Sequence, residues 1–251
     1  VYPMREFDTQ TRPFRIACPH CEQRMELKGV EPFRPVTCPS CASQFPAPYH
    51  FGDFLLEEPL GRSLVASVYR TLDLRLEREV AVKVLARDLC RDEQRRERFL
   101  EVARETATLN HPNIVFTYDC SMHEGRPFIV TEYSPDGSLL KKLEGADGGL
   151  PLSFVVSCAA QMAEGLEAAH NAAGMTHDNL KPQNVLFGFE GQAKLSDFHM
   201  NRILPLDTAG GGDTDAYAVR VHPCYTSPEM LRDCDQDVRG DMFSLGAIMY
   251  H

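Results

Sequence analysis

Four cysteines near the N-terminus have the types and spacing most typical of a metal site. Cys18 and Cys21 are separated by two residues, Cys38 and Cys41 repeat that spacing, and sixteen residues lie between the pairs. A short hairpin can bring two such thiol pairs around one tetrahedral Zn²⁺ ion. A segment of about 30 residues buries too little apolar surface to fold alone, so we expect the metal to supply folding free energy. The sequence therefore predicts a structural zinc site at these four cysteines.

The alternatives to a metal site are two disulfides or unused thiols. The paired spacing favours metal ligands. The start of the sequence does not resemble a signal peptide, which predicts a reducing compartment in which disulfides are rare. The segment resembles a zinc ribbon, and we assign residues 1–46 to it, followed by a stiff connector at residues 45–48. His20 lies between two better-placed ligands and is expected to face solvent. We expect a structural or protein-docking module.

Five motifs further along the chain could serve phosphoryl transfer. They read Val80-Ala81-Val82-Lys83, His111-Pro112-Asn113-Ile114-Val115, His177-Asp178-Asn179-Leu180-Lys181-Pro182-Gln183-Asn184, Asp197-Phe198-His199 and Ser227-Pro228-Glu229. In this order and spacing they resemble the protein kinase family. Lys181, two residues beyond the catalytic position, resembles the serine/threonine branch, and the arrangement is similar to bacterial kinases of the eukaryotic type. The resemblance covers residues 49–251, which we assign to one kinase-like domain.

The resemblance implies a cleft for ATP and Mg²⁺. Lys83 would meet the α- and β-phosphates, and Asn184 and Asp197 match the positions that hold magnesium in the family. Asn179 and Lys181 match catalytic-loop positions. The remaining nucleotide contacts implied by the resemblance are Gly61 of the phosphate loop, Val68 and Ala81 above the adenine, Leu186 below it, Thr131 as gatekeeper, and the hinge residues Glu132 and Ser134. For the apolar members, an ordinary place in the strand core is an equally open interpretation.

Two departures from the family pattern weaken the predicted chemistry. Asn179 stands at the position of the catalytic aspartate, and an amide can hold a substrate hydroxyl but cannot accept its proton. Loss of a general base costs about 10²- to 10⁴-fold in rate. Ser63 and Ala66 stand at two glycine positions of the phosphate loop, where side chains hinder the approach of phosphate to the backbone.

Further departures concern the groups around the catalytic loop. Val102 stands where the family has the helix glutamate that pairs with the lysine, and a shifted pairing of Glu105 with Lys83 stays open. Asp178 replaces an arginine that would bind a phosphorylated loop, and its charge would repel a phosphate. His199 replaces the glycine of the metal loop. One further position, His222, replaces a threonine that would bridge to the catalytic aspartate.

The elements that must position these residues follow from hydrophobic periodicity. Short alternating apolar runs at residues 54–60, 65–69, 80–85 and 128–133 surround one charged helix candidate at residues 92–109. After Gly137 the spacing becomes helical, most clearly at residues 153–171. We therefore expect an α+β, bilobal protein-kinase-like fold, with an antiparallel small lobe and a helical large lobe behind the zinc ribbon.

The C-terminal segment, residues 237–251, resembles the central helix of the large lobe. Asp241 matches the residue that braces the catalytic loop. We expect either that the chain is a fragment or that its large lobe is incomplete beyond this helix, and in both cases exposed apolar surface would need a partner. The expected apolar positions are Phe243, Leu245, Ile248 and Met249.

Composition limits the function classes. The chain has 43% hydrophobic and 9% aromatic residues, which is ordinary for a globular protein. A net charge of −10 without a basic block argues against a nucleic-acid partner. No apolar run approaches the roughly 20 residues of a membrane helix, and the charged N-terminal residues do not resemble a signal peptide, so we expect a cytoplasmic protein without a membrane span. The remaining cysteines lack ligand spacing: Cys90, Cys120, Cys158, Cys224 and Cys234.

Three hypotheses follow for function. The first is a pseudokinase that binds nucleotide weakly and docks proteins through its surface and the ribbon. The second is an active serine/threonine kinase in which Asn179 is tolerated and Glu105 substitutes in the helix. The third is a truncated, non-functional relic. Protein partners or protein substrates are expected, and candidate phosphorylation sites are Thr208, Thr214, Tyr217, Tyr225 and Thr226.

Overall fold

The computed structural model describes residues 6–11, 13–146, 148–204, 223–232 and 237–250. Five positions singled out from the sequence lie outside these described residues: Thr208, Thr214, Tyr217, His222 and Cys234. The described part contains two small hairpins, a sheet-rich lobe and a helical lobe. The predicted bilobal α+β architecture is confirmed.

Two antiparallel hairpins form the N-terminal ribbon. Strand β1 (Phe14–Ala17) pairs with β2 (Arg24–Leu27), and β3 (Pro35–Thr37) pairs with β4 (Gln44–Pro46). Each cysteine pair lies in the turn of one hairpin. Glu22 and Ala42 both adopt a positive φ of 59°, which lets the chain reverse directly after the second cysteine of each pair.

The small lobe is built on a six-stranded antiparallel sheet in the order β5-β6-β7-β8-β10-β9. Its strands are β5 (Tyr49–Phe51), β6 (Phe54–Arg62), β7 (Ala66–Asp73), β8 (Arg78–Leu85), β9 (Thr117–His123) and β10 (Arg126–Thr131). Because side chains alternate along a strand, Val80, Val82 and Val84 share one face of β8 and are fully buried. Lys83 points to the opposite face.

One helix, α1 (Glu93–Thr106), packs on the face of the sheet that carries Lys83. It begins at Asp92, whose carboxylate caps the helix by accepting hydrogen bonds from the backbone amides of Gln94 and Arg95 at 2.9 and 3.4 Å. The side chains of Phe99, Val102 and Ala103 are buried against Leu85 and Ile129 of the sheet. Burial of this stripe sets the orientation of the helix.

The large lobe is mainly helical. Its elements are α2 (Leu139–Glu144), α3 (Leu152–Ala173), the strands β11 (Val185–Phe187) and β12 (Ala193–Leu195), α4 (Val238–Tyr250), and short 3₁₀ helices at Pro182–Asn184, Met200–Ile203 and Met230–Arg232. Helix α3 ends at Gly174, which has a positive φ of 59° and forms a left-handed cap. The predicted helix at residues 153–171 is thus confirmed and slightly longer. The lobe core lies between α3, β12 and α4.

Glu6 and Phe7, which we call the N-terminal arm, and Phe33 of the ribbon pack on the face of the small-lobe sheet opposite α1. The ring of Phe7 stacks on Tyr49 with centroids 4.3 Å apart, and Phe33 stacks on Tyr69 at 5.1 Å. The Glu6 carboxylate is 9% exposed and accepts a hydrogen bond from the Tyr69 hydroxyl at 2.9 Å. These contacts join the ribbon and the small lobe into one packed unit.

The connector at residues 45–48 differs from the stiff spacer expected from the sequence. Ala47 is 1% exposed within the ribbon core. Its backbone donates to the carbonyl of Arg34 at 2.7 Å and accepts from the amide of Phe33 at 2.8 Å. Two prolines restrict the backbone here, but tertiary packing holds the segment against the ribbon instead of leaving it extended between domains.

The apolar surface expected on the last helix is only partly exposed. Phe243 and Met249 of α4 are 46% and 44% exposed, whereas Leu245 and Ile248 are each 6% exposed. The latter two side chains face α3 in the lobe core, so the expectation was wrong for them. None of the helices described in the structure is both long and apolar enough to cross a membrane.

Candidate active site

Lys83 lies in the cleft between the lobes, where its Nζ contacts Oδ1 of Asp197 directly. Strand β8 places Lys83 opposite Val68 on β7 and Ile129 on β10, so the side chain is held in the middle of the sheet. Burial lowers the pKa of the Lys83 ammonium to about 7. The lysine and the carboxylate are therefore brought together, a contact that the sequence analysis did not predict.

The catalytic-loop motif is fastened from beneath by Asp241 of α4. This carboxylate is 1% exposed and accepts hydrogen bonds from the backbone amides of His177 at 2.8 Å and Asp178 at 3.3 Å. The His170 ring on α3 completes its contacts at 3.0 Å. Burial lowers the pKa of His177 to about 4, so the ring is neutral when it stacks on Phe198 at 4.3 Å. The loop is thus fixed before any ligand arrives.

Hydrogen bonds connect Asn179, Asn184 and Asp197, the residue that contacts Lys83. Asn184 donates from Nδ2 to the carbonyl of Asn179 at 2.7 Å, and Asn179 donates from Nδ2 to the carbonyl of Asp197 at 3.4 Å. Lys181 precedes the short helix Pro182–Asn184 on the same loop, and burial lowers its pKa. The structure thereby places the two amide side chains and the carboxylate within one small region of the cleft.

Most residues assigned to the adenine side are paired with one another in the small-lobe sheet. Gly61 lies opposite Val68, and Ala81 lies opposite Thr131, whose hydroxyl donates to the Ala81 carbonyl at 3.5 Å. Leu186 lies on β11 of the large lobe, where its backbone pairs with Ser138. The Ser134 hydroxyl at the hinge is buried and has no hydrogen-bond partner among the described residues. A buried, unpaired hydroxyl at this position fits a polar ligand.

The side chain of Glu132 has a different role from the ligand contact expected of it. Its Oε1 accepts hydrogen bonds from the backbone amide of Phe116 at 2.9 Å and from Nζ of Lys194 at 2.8 Å. Lys194 is 8% exposed and was missed by the sequence analysis, although it stands three residues before Asp197. The carboxylate is therefore used within the protein, and only the backbone of this hinge position remains for a nucleotide.

The phosphate loop satisfies its own backbone amides. The Ser63 hydroxyl accepts hydrogen bonds from the amides of Val65 at 3.2 Å and Ala66 at 3.1 Å, and it donates to the Ala66 carbonyl at 3.1 Å. In a phosphate-binding loop such amides are the groups that contact phosphate oxygens. A serine at a glycine position thus occupies donors that a nucleotide would need.

Glu105 does not pair with Lys83, so the shifted pairing considered from the sequence is not what the structure contains. Glu105 instead lies 3.2 Å from Nδ1 of His199 and 3.7 Å from Arg98. Val102, at the position of the family glutamate, is 1% exposed and belongs to the apolar core. Helix α1 therefore contacts the large lobe through a residue one turn beyond the expected position.

The Asp178 carboxylate lies between Arg202, in the segment after the metal loop, and the His199 ring of that loop. Nε of Arg202 donates to its Oδ2 at 2.9 Å, and Nε2 of His199 lies 3.6 Å from the same oxygen. Asp178 and His199 both adopt positive φ, of 60° and 56°. The sequence motifs did not single out Arg202. The available signal was that Asp178 replaces an arginine, so a basic residue near the metal loop, such as Arg202, was a candidate partner for its carboxylate.

The four cysteines of the ribbon converge as predicted. Their sulfur atoms all lie within 4.8 Å of one another, and Cys18 to Cys41 and Cys21 to Cys38 are each 3.7 Å apart. Zn–S bonds of about 2.3 Å in a tetrahedron give sulfur separations of about 3.8 Å. The backbone amides of His20 and Ser40 each lie 3.4 Å from the first sulfur of their pair. This donor set fits a closed tetrahedral metal ion, and the cysteines are not joined as disulfides.

The comparison with known proteins concerns the two lobes that follow the ribbon. Residues 54–251 match the protein kinase domain family. The serine/threonine-protein kinase PknL of Mycobacterium tuberculosis is 35% identical over 197 residues, covering 78% of this chain and 48% of PknL. PknB of Mycolicibacterium smegmatis is 37% identical over 208 residues, covering 81% of this chain and 33% of PknB. The chain thus spans half or less of the length of these relatives.

A likeness to solved structures supports the fold. The crystal structure of the PknI kinase domain of Mycobacterium tuberculosis aligns with a TM-score of 0.62 and 23% sequence identity. The alignment covers 81% of this chain and 73% of that domain. At this identity the likeness concerns the arrangement of the elements alone.

Proposed function

Because this chain belongs to the serine/threonine protein kinase family, we propose that residues 49–251 act as a pseudokinase domain that binds nucleotide weakly and docks proteins. The observation that carries the proposal is Asn179 at the position of the proton acceptor. Its amide donates to the Asp197 carbonyl, and an amide has no basic site that could take a proton from a substrate hydroxyl. Positioning of a substrate can continue without proton transfer.

Weak nucleotide affinity follows from the phosphate loop and the lysine. The amides of Val65 and Ala66 already have an acceptor in Ser63, so phosphate must displace an internal hydrogen bond. Lys83 is bound to Asp197, and its ammonium must leave that carboxylate or share it. Both rearrangements subtract from the binding free energy, because the existing contacts are lost when the ligand forms its own.

The residues present nevertheless fit a nucleotide with magnesium. Asn184 and Asp197 offer the oxygen ligands that Mg²⁺ prefers, and Lys83 offers a cation for phosphates. The unpaired Ser134 hydroxyl and the hinge backbone suit the base. When bound, Mg²⁺ would neutralise phosphate charge; the chain's own part is to hold the phosphates at Lys83 and the base at the hinge.

A second candidate is an active serine/threonine kinase. It is favoured by the convergence of Lys83, Asn184 and Asp197 in one cleft and by the relatives' printed description as serine/threonine-protein kinases. In this case Asn179 would orient the substrate hydroxyl, which would lose its proton to water or to the transferred phosphate. The rate would then lie about 10²- to 10⁴-fold below that of an enzyme with a general base.

The test is transfer of labelled γ-phosphate from Mg-ATP to the chain itself and to a basic protein substrate. We expect no incorporation above the level of Lys83→Ala, but measurable binding of Mg-ATP by the unaltered chain. Incorporation that depends on Lys83 would contradict the pseudokinase proposal and support the second candidate. Activity that appears only in Asn179→Asp would demonstrate an intact cleft that lacks one base.

For residues 1–46 we propose a ribbon that holds one structural Zn²⁺ at Cys18, Cys21, Cys38 and Cys41. The sulfur separations near 3.7 Å support this assignment, as do the two amides directed at sulfur. Four thiolates require a reducing environment, so a cytoplasmic location is part of the proposal. Proteins are the expected partners of both units.

A further inference from the structure

Helix α1 lacks the charged contact through which the kinase family joins this helix to the active-site lysine. Val102 occupies the glutamate position and packs with Phe99 and Leu85 in the apolar core. Lys83 is bound to Asp197 instead. Any polar link between α1 and the catalytic groups must therefore use another residue of the helix.

Glu105 provides such a link one turn further along. Its Oε2 lies 3.2 Å from Nδ1 of His199, two residues beyond Asp197. The His199 side chain is only 6% exposed, whereas Glu105 is 40% exposed, so the carboxylate reaches inward from the rim of the lobe. The contact joins α1 to the metal loop directly.

The second ring nitrogen faces the catalytic loop, but it has no hydrogen-bond partner among the described residues. Nε2 of His199 lies 3.6 Å from Oδ2 of Asp178, and the backbone amide of His199 donates to the carbonyl of His177 at 3.0 Å. Arg202 binds the same Asp178 oxygen through Nε at 2.9 Å. With one ring nitrogen toward each carboxylate, His199 is placed to connect two lobes.

We propose that Glu105 and His199 are positioning residues that replace the lysine–glutamate pair of the family. The contact between them forms a bridge, Glu105–His199, beside Asp178, and this bridge sets the position of α1 relative to the metal loop. The bridge explains why a bulky histidine occupies a glycine position with a φ of 56°, a conformation that is unfavourable for a non-glycine residue. Only its consequence for nucleotide binding rests on the proposed function.

The test is amide hydrogen exchange of residues 93–106 in the full chain without nucleotide. Glu105→Gln weakens the charge-assisted contact with His199, so we expect exchange in the last turns of α1 to rise about fivefold. The matched control is Glu101→Gln, which removes the same charge from the same helix and breaks a surface pair with Arg98 at 3.0 Å. It should leave exchange unchanged, because exposed pairs contribute little.

Substitutions of the histidine separate a positioning role from general loss of stability. Asn tolerates positive φ but is too short to reach Glu105, so His199→Asn should raise exchange as Glu105→Gln does. In that background Glu105→Gln should have no further effect. His199→Gln keeps a donor of similar reach and should retain most of the protection. Additive effects of the two changes, or equal effects of Glu101→Gln and Glu105→Gln, would overturn the bridge.

A second readout connects the bridge to the cleft. The dissociation constant of Mg-ATP should rise about fivefold in Glu105→Gln and stay unchanged in Glu101→Gln, because a displaced α1 disturbs the metal loop beside Asp197. If the unaltered chain binds no nucleotide, the proposed function fails while the exchange measurement still decides the bridge. If nucleotide binds and Glu105→Gln changes neither quantity, the bridge itself is wrong.

Discussion

Arg202 binds Asp178 across the start of the segment that follows the metal loop, with Nε donating to Oδ2 at 2.9 Å. The pair inverts the charges of the family, in which an arginine at the Asp178 position meets a phosphate that is added later. Here the acid belongs to the catalytic loop and the cation is part of the chain from the outset. The contact therefore holds this segment against the catalytic loop without any covalent modification.

Breaking this pair should destabilise the protein. Asp178 is 8% exposed, so Arg202→Ala removes the guanidinium that contacts a buried carboxylate and leaves only the His199 ring nearby, at 3.6 Å. We expect a loss of about 1–2 kcal/mol in the free energy of unfolding, reduced from the value for fully buried pairs because Arg202 is 38% exposed. Denaturant titration measures it. Arg239→Ala, which breaks a surface pair at 89% exposure, should leave stability nearly unchanged.

Removal of the proposed zinc should unfold the ribbon and weaken the small lobe. Without the metal, Phe33 loses its position against Tyr69, and the melting temperature should fall by at least about 5 °C. Metal analysis of the purified chain should find one zinc, and scanning fluorimetry with and without a chelator gives the shift. Cys38→Ser should reproduce it, whereas Cys90→Ser should not. A metal-free chain with an unchanged melting temperature would contradict the assignment.

The packing of the N-terminal arm can be tested at its buried carboxylate. Tyr69→Phe removes the hydroxyl that donates to Glu6 at 2.9 Å and leaves the ring stacking intact. Loss of a hydrogen bond to a buried charge should cost about 1.5–3 kcal/mol in unfolding free energy. Tyr118→Phe makes the same change at a ring that is 40% exposed and should be near neutral. Equal effects of both variants would mean that the arm does not depend on this contact.

Stability should depend on pH through His177. Burial holds its pKa at about 4 against a normal value of 6.5, so the unfolded chain binds a proton that the folded chain does not. The resulting stability is complete above pH 6.5 and is lost as pH falls toward 4. Between pH 7 and 4.5 the unaltered chain should lose roughly 2 kcal/mol more than His177→Gln. Urea titrations at pH 7 and pH 4.5 give the free energy of unfolding of each variant at each pH. His20→Gln changes an exposed ring and should lose as much stability between the two pH values as the unaltered chain.

Two glycines in helices should respond in opposite ways to alanine. A Cβ at Gly165 of α3 would lie 2.8 Å from the Asn113 carbonyl and 3.1 Å from Leu195, so Gly165→Ala should cost about 2 kcal/mol. At Gly246 of α4 nothing lies within 4 Å, and Gly246→Ala should add about 0.5–1 kcal/mol through helix propensity. Thermal or denaturant unfolding gives both values. A stabilising Gly165→Ala would show that α3 and β12 are less closely packed than described.

Much of the fold could be read from local pattern. The two Cys-Pro-x-Cys turns, the alternation of Val80, Val82 and Val84 with Lys83, and the helical spacing of α3 are each determined by residues close together in the chain. Such periodicities reflect the geometry of a strand or a helix, which does not depend on distant neighbours. Motif order then assigned Lys83 and Asp197 to one cleft, although they are 114 positions apart, but their direct contact was not predicted.

The partners of several charged residues were decided only by tertiary structure. Glu105 and His199 are 94 residues apart, and Tyr69 and Glu6 are 63 apart, with no motif that connects either pair. Which helix residue meets the metal loop depends on how far α1 is rotated, and that rotation is set by burial of Phe99, Val102 and Ala103 against the sheet. Sequence spacing defines the face of a helix, but the packing of the whole lobe defines what that face touches, because apolar burial outweighs a single ion pair at the rim.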